Sequence, residues 1–370
     1  MKIAILCEYL SYVGGGERVY CSWANIFSDI LGHDVTIVAM EDVDKSFYKL
    51  SQKVKIHSLK LRQYKFYQNP KKRKKDMILN YWSDRKIIEK YLNESNFDVV
   101  IGIALNINLI LSKIKGKFKK IATEHSEYYA PNKLLRNVRN QLYKAFDVIT
   151  VLNYQDLHLF KKHNPNTIVL LNPVEVLNHD NPRSSSEKKL IVSVGSLSHQ
   201  KNQKDLISMM EIIHKDFKDW KLIIYGEGPL HDELQYEVDK RNLNECITLA
   251  GVSENVPKSI SEGSIFVLSS IIEGFGLVLI EAMSTGIPCV SYNTAGPDMI
   301  IDNDYNGIKV ECGNIEDLTQ SVISLINDPQ KRERLGLNGL NSIQKFHPKE
   351  IAKDWHALFE SLYANGKSVI

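Results

Sequence analysis

Residues 265–283 read Ile265-Phe266-Val267-Leu268-Ser269-Ser270-Ile271-Ile272-Glu273-Gly274-Phe275-Gly276-Leu277-Val278-Leu279-Ile280-Glu281-Ala282-Met283. Ile265–Ser269 is a short apolar run of strand length. A glycine-bearing turn follows, and a helix opens after it that stops at Gly286, with Pro288 just beyond. Glu273 is thereby expected on the loop ahead of the helix, and Glu281 inside its first turns. Carboxylates in these places suit acceptance of hydrogen bonds from the hydroxyls of one polyhydroxylated ligand. Between them, the amides from Gly274 to Leu277 share a direction with the positive end of the helix. Carboxylates for hydroxyls beside amides for an anion describe a sugar nucleotide. The competing reading makes Glu281 a buried carboxylate capping a neighbouring segment.

The same strand, turn and helix recur upstream. Leu190–Val194 leads into Gly195-Ser196-Leu197-Ser198-His199-Gln200-Lys201-Asn202 and a helix after Asn202. Lys201, near that helix start, is either a compact point charge for phosphate or an ordinary surface residue. Lys221–Tyr225 leads into Gly226-Glu227-Gly228-Pro229, a turn that brings backbone near a ligand or reverses the chain. Ile247–Ala250 and Pro288–Tyr292 complete the strands expected in this half. In the first half, Lys2–Cys7, a helix near Glu17–Leu31, Asp34–Ala39, Asp98–Ile103, Lys119–Thr123 and Asp147–Leu152 repeat the alternation. Such runs predict an α/β chain with two parallel sheets, each covered on both faces. Two sheets facing each other place a cleft outside their strand C-termini. Gly14-Gly15-Gly16-Glu17-Arg18 follows the first strand and suits close approach to an anion. It is not a dinucleotide fingerprint, because Val19 stands where a third glycine is needed, and no Gly-Lys-Ser/Thr makes it a P-loop. The polar stretch 178–188 lacks any apolar period, so domains are expected at 1–178 and 189–351 with a linker at 179–188.

Composition agrees with two soluble domains: 370 residues, 43% hydrophobic and 25% charged. No stretch approaches a membrane-spanning length, since Asn106 and Asn108 interrupt the best candidate, Val99–Leu111. Met1–Cys7 has no cationic region before it and reads as a strand rather than a signal peptide. Five scattered cysteines without CxxC spacing argue against a disulfide framework and a zinc site, and point to the cytoplasm. The net charge of +3 hides an asymmetry: residues 1–180 carry 28 Lys+Arg against 18 Asp+Glu. That half is expected to meet something anionic. Its densest part, Lys71-Lys72-Arg73-Lys74-Lys75, precedes an expected amphipathic helix, Asp76–Leu92. A solvated run, an anionic phospholipid surface and nucleic acid compete for it. Taken alone the run reads as solvated surface, the asymmetry brings the membrane reading close to it, and no nucleic-acid partner is expected.

Taken together, the GGGER turn, His125 in Glu124-His125, Asn172-Pro173-Val174, the Lys201 loop, the GEGP turn and the E-x7-E stretch resemble glycosyltransferase family 4. The resemblance covers about residues 1–360. Thr294–Ile301 and Trp355 further resemble members that build bacterial surface glycans on lipid carriers. It implies the GT-B fold, two Rossmann-like domains facing across a cleft. It also implies a retaining transfer, without a metal or other cofactor, from a nucleotide sugar, commonly a UDP-sugar. A glycan or polyprenyl-diphosphate-linked acceptor follows, with the enzyme peripheral on the inner face of the membrane. By the same resemblance, Glu281 holds the ribose and Glu273 the donor sugar. The Phe275, Gly276 and Leu277 amides contact sugar and diphosphate, with Gly226, Gly228 and Pro229 also at the donor. Lys201 neutralises the diphosphate, Gly15 and Gly16 approach it from the other domain, and His125 bonds the sugar near the reacting carbon. Lys201, Glu273 and His125 are thus the expected catalytic set. The last helix, about 352–370, returns to the first domain.

One position departs: Ser196 stands where members usually carry arginine, leaving His199 or Arg18 as candidate substitutes. Asp302-Asn303-Asp304 invites a metal reading, but its polar surroundings, Asp302–Gly307, favour a turn. A sugar-nucleotide epimerase on the same fold and a non-catalytic sugar-nucleotide-binding subunit are the alternative functions.

Overall fold

The computed structural model describes residues 1–11, 14–62, 83–174 and 187–364. They form two compact units. One comprises Met1–Pro173 joined by the segment from Pro348 onward, the other Val174–His347. Most of the expected linker, 179–186, lies outside the described residues. So do Lys71–Lys75 and the start of the helix expected at Asp76–Leu92, whose described part is helical over 83–94.

The first unit is a seven-stranded parallel sheet built from β1 (Lys2–Cys7), β2 (Asp34–Glu41), β3 (Lys55–Arg62), β4 (Val99–Ile103), β5 (Lys119–Thr123), β6 (Val148–Val151) and β7 (Thr167–Val169). Their order is β3-β2-β1-β4-β5-β6-β7. The central strands β1 and β4 are buried almost throughout, as strands covered on both faces must be. β1 is followed by the helix Gly15–Asn25, which runs on as a π-helical turn, Ile26–Ile30, and seats Phe27 in the core. The helix Pro348–Tyr363 begins ahead of the expected 352. Its fully buried Trp355 meets Trp23 edge-on at 5.1 Å and Phe27 at 4.9 Å, and Phe359 joins them. The last helix therefore supplies part of the core of the unit that begins the chain.

The second unit is a six-stranded parallel sheet. It comprises β8 (Leu190–Val194), β9 (Lys221–Tyr225), β10 (Ile247–Leu249), β11 (Ile265–Leu268), β12 (Cys289–Tyr292) and β13 (Ile308–Val310), in the order β10-β9-β8-β11-β12-β13. The chain starts its helices here with polar caps: Asn255, Asn314 and Asp328 side chains accept from amides of the following turn, two of them ahead of a proline. Leu206, Met210 and Ile213, on one side of the helix Gln203–Asp216, join Leu222, Ile224 and Val290 in the core.

Both sheets reverse their winding beside their first strand, between β1 and β4 and between β8 and β11. The loops leaving those strands diverge there and open a crevice at the carboxyl ends. Among the described residues, no helix is long and apolar enough to cross a membrane.

Candidate active site

In the second unit the two decisive loops leave neighbouring strands at the switch point. β8 and β11 pair through Ile191–Ile265 and Val192–Phe266. Beyond β8, the amides of Lys201 and Asn202 turn back onto Ser198 O, and Asn202 takes a left-handed conformation at φ 50° before the helix Gln203–Asp216. Beyond β11, Ser269 Oγ donates to Lys201 O at 2.9 Å and Ile271 N donates to Gln200 O at 2.9 Å. Both bonds end on backbone carbonyls of the Lys201 loop, which ties the two loops together.

The side chains then meet as an ion pair. Lys201 Nζ donates to Glu273 Oε2 at 2.5 Å, and Ser270 Oγ donates to the same oxygen at 3.2 Å. The two side chains are 24% and 12% exposed, so solvent screens this pair only in part. Gly276, at φ 90°, caps the helix Leu277–Ser284 in a conformation few other residues tolerate. The first amides of a helix lack the usual acceptor four residues back; here Leu279 N donates to Gly276 O at 2.9 Å. Phe275 points its ring away, edge-on against Phe346 at 5.6 Å. Glu281, at 7% exposed, is more enclosed than Glu273.

Three glycines owe their identity to packing. A Cβ on Gly226 would lie 2.0 Å from Gly195 O, and one on Gly228 would lie 2.3 Å from Leu197 O. The GEGP turn therefore lies backbone to backbone on the Ser196 loop, held by Leu197 N donating to Glu227 O at 3.0 Å. Gly296 does the same for Phe275, whose backbone a Cβ would approach to 2.5 Å, while its amide donates to Glu273 O at 2.8 Å. Gly16 is different. Among the described residues, a Cβ there would meet nothing within 4 Å.

The remaining expected residues lie in the first unit. Gly15 and Gly16 open the helix after β1, and His125 follows β5. Thr123 Oγ1 donates to Gly102 O at 3.0 Å and lies 3.3 Å from His125 Nε2. Its proton spent, that hydroxyl can only accept, which assigns the imidazole proton to Nε2 and leaves Nδ1 as an acceptor. Burial pushes the His125 pKa down to about 4, so the ring is neutral near pH 7. Beneath it, buried Glu124 accepts from Asn108 Nδ2 at 3.2 Å and from Tyr143 OH. Burial raises the Glu124 pKa while these donors and Arg139 pull it back.

Ser196 is exposed, its Oγ 3.4 Å from Ser198 Oγ; His199 is exposed too, and Arg18 is half-buried in the first unit. Asp302–Gly307 is a turn: Asn306 Oδ1 accepts from Asp302 N and Asn303 Oδ1 from Lys309 N, both at 2.7 Å. Two polar residues within the quoted stretches were given no role in the sequence reading. Ser270 bonds Glu273, and Thr294, just ahead of Gly296, encloses a hydroxyl with no partner among the described residues. Only their neighbours in the motifs pointed to them.

Comparison with known proteins agrees with this construction. The family model described as glycosyl transferases group 1 matches residues 177–342. A GalNAc-alpha-(1->4)-GalNAc-alpha-(1->3)-diNAcBac-PP-undecaprenol alpha-1,4-N-acetyl-D-galactosaminyltransferase of Campylobacter jejuni is 30% identical over 96% of this chain and 97% of its own. The chain belongs to the group 1 glycosyl transferases. The transferase is also 23% identical to the amylovoran biosynthesis glycosyltransferase AmsD of Erwinia amylovora, over 96% of this chain and 98% of that one. Its fold is GT-B. It matches S. aureus TarM at a TM-score of 0.78 and 16% identity, covering 97% of this chain and 99% of TarM.

Proposed function

We propose that this glycosyltransferase moves a hexose or N-acetylhexosamine from a UDP-sugar to a lipid-linked or polysaccharide acceptor in bacterial surface-glycan synthesis. The transfer retains anomeric configuration, needs no metal, and takes place at the inner face of the cell membrane. The observation that carries the donor assignment is the Lys201–Glu273 pair, partly shielded from solvent at the switch point between β8 and β11. Relatives support the substrate classes: the C. jejuni enzyme is named for an undecaprenol-linked acceptor, and TarM was crystallised with UDP.

In this reading the donor diphosphate replaces Glu273 on Lys201, and Glu273 turns to the hydroxyls of the sugar. Glu281 takes the ribose, and the Phe275, Gly276 and Leu277 amides face the sugar and diphosphate. Gly226, Gly228 and Pro229 hold the Ser196 loop against the same ligand. The neutral His125 accepts a sugar hydroxyl at Nδ1, and Gly15 and Gly16 leave room for phosphate. The acceptor hydroxyl attacks the anomeric carbon on the face from which the diphosphate departs. The bond from that carbon to the phosphate oxygen breaks, the new glycosidic bond forms, and the departing phosphate oxygen takes the acceptor's proton. Charge accumulates on the leaving group, where Lys201 and the helix amides stabilise it. Ser196 contributes one neutral hydrogen bond, and His199 or Arg18 supplies the second cation. The run Lys71–Lys75 carries the contact with anionic lipid.

Slow hydrolysis of UDP-Gal, UDP-Glc, UDP-GlcNAc and UDP-GalNAc tests the donor site and names the sugar. Cleavage of one of them, undiminished in EDTA, is the expected result. Loss in EDTA restored by Mn²⁺ would overturn metal independence. Interconversion of the sugars without an acceptor would make the enzyme an epimerase.

A further inference from the structure

The helix Lys133–Leu142 of the first unit half-buries Leu135 and Leu142 beside Arg139 but turns other apolar side chains outward. Asn132 caps it, accepting from Leu135 N at 2.9 Å, and the residues it buries are Arg139 and Asn140. Leu134 is 77% exposed and Val138 43%. A surface helix of a soluble protein does the reverse. The inward face is not a packing failure: the Arg139 guanidinium lies 4.4 Å from the ring centroids of both Tyr128 and Phe160.

The outward face consists of Leu134, Asn137, Val138 and Gln141, at the three- and four-residue spacing of one helical side, and carries no charge. Its rim is cationic. Lys133 and Lys144 are exposed at either end, and Arg136 stacks over Tyr129 at 4.9 Å. Tyr129 is itself 62% exposed. From Tyr128 to Phe146 the sequence has four Lys+Arg and no Asp or Glu.

We propose that this face docks on the anionic headgroup layer of a phospholipid bilayer. Leu134, Val138 and Tyr129 enter the boundary between headgroups and acyl chains, while Lys133, Arg136 and Lys144 meet lipid phosphates. An apolar face edged by cations and an aromatic ring matches what lies in the plane of a membrane interface. A second copy of the chain fits it worse, because a twofold contact would set like charges against each other. The surface is made of residues other than Lys71–Lys75 and rests on the reading of the acceptor as lipid-linked. It follows closely after His125 in the chain, so docking there brings lipid to the segment that leaves β5.

Full-length protein is sedimented with vesicles of phosphatidylglycerol and phosphatidylethanolamine, and with phosphatidylcholine alone. Salt-sensitive binding to the anionic vesicles only is expected. Leu134→Asn with Val138→Asn should weaken it by about tenfold or more, from the apolar area no longer buried. Both positions are exposed, so the far-ultraviolet circular dichroism of the double variant should not change. Equal vesicle binding by wild type and double variant overturns the proposal. So does equal binding to neutral lipid, or a light-scattering dimer that the double substitution dissolves. Loss confined to neutralised Lys71–Lys75 would overturn this surface but leave lipid docking intact. UDP binding by calorimetry is read separately: its absence in wild type counts against the donor site and not against this face.

Discussion

Glu273 pairs with Lys201, and the same carboxylate is the one proposed to turn to the sugar. Lys201→Met should therefore lower kcat about 100-fold or more, since removing a donor to developing negative charge costs two to three decades. Glu273→Gln should act more on KM for the nucleotide sugar than on kcat. Steady-state kinetics on the hydrolysed UDP-sugar check both, and full activity in both variants would refute the assignment. His125 makes a prediction about pH. Its folded pKa of about 4 lies below the ordinary histidine value of 6.5. Between those limits the unfolded chain carries a proton that the folded chain does not, so stability rises with pH through this window and falls on acidification. The effect is on the order of 3 kcal/mol across the window. Urea titrations at pH 7 and 4.5 should show His125→Gln losing less stability than wild type.

The short turn after β12 shows how one segment serves another. Gly296 lets the helix Ala295–Ile300 start against the backbone of Phe275, and its amide fixes Glu273 O. Gly296→Ala should cost about 1–3 kcal/mol by overpacking and lower kcat/KM further than that loss of stability would suggest, because the displaced loop carries Glu273. Comparing urea midpoints with kinetics of the folded variant separates the two. This turn also marks where sequence reading stops. Interior strands such as Lys2–Cys7 and Leu190–Val194 were legible to the residue, because burial on both faces leaves mostly apolar runs. β3, β7 and β13, three of the four edge strands, were not. β3 alternates Lys55-Ile56-His57-Ser58-Leu59-Lys60 like a surface segment, and β7 and β13 are three residues long. The motif loops were legible through glycines and charges. That Gly226, Gly228 and Gly296 answer to facing backbone, and that Lys201 meets Glu273, depends on contacts between distant segments that spacing does not encode.

The two cores are separate, and that makes a calorimetric prediction. Trp355→Ala removes a fully buried indole from the first unit and should cost about 3–5 kcal/mol there, while the transition of the second unit stays in place. UDP should do the opposite if its site is in Val174–His347. At 100 times its Kd it should raise chiefly the second unit's stability, by up to about 2.7 kcal/mol. Differential scanning calorimetry of both samples decides, and a shift of the same transition in each would refute the separate placement.

The seating of Trp355 against Trp23 and Phe27 also dictates an order of events during translation. The ribosome delivers β1 to β7 long before it delivers the tryptophan that closes their core, and the whole second sheet is made in between. The nascent N-terminal half must therefore wait, with an aromatic socket open to solvent and to chaperones, until the final helix leaves the exit tunnel. A premature stop between residues 347 and 355 would release a chain whose oldest part is the one left unfinished.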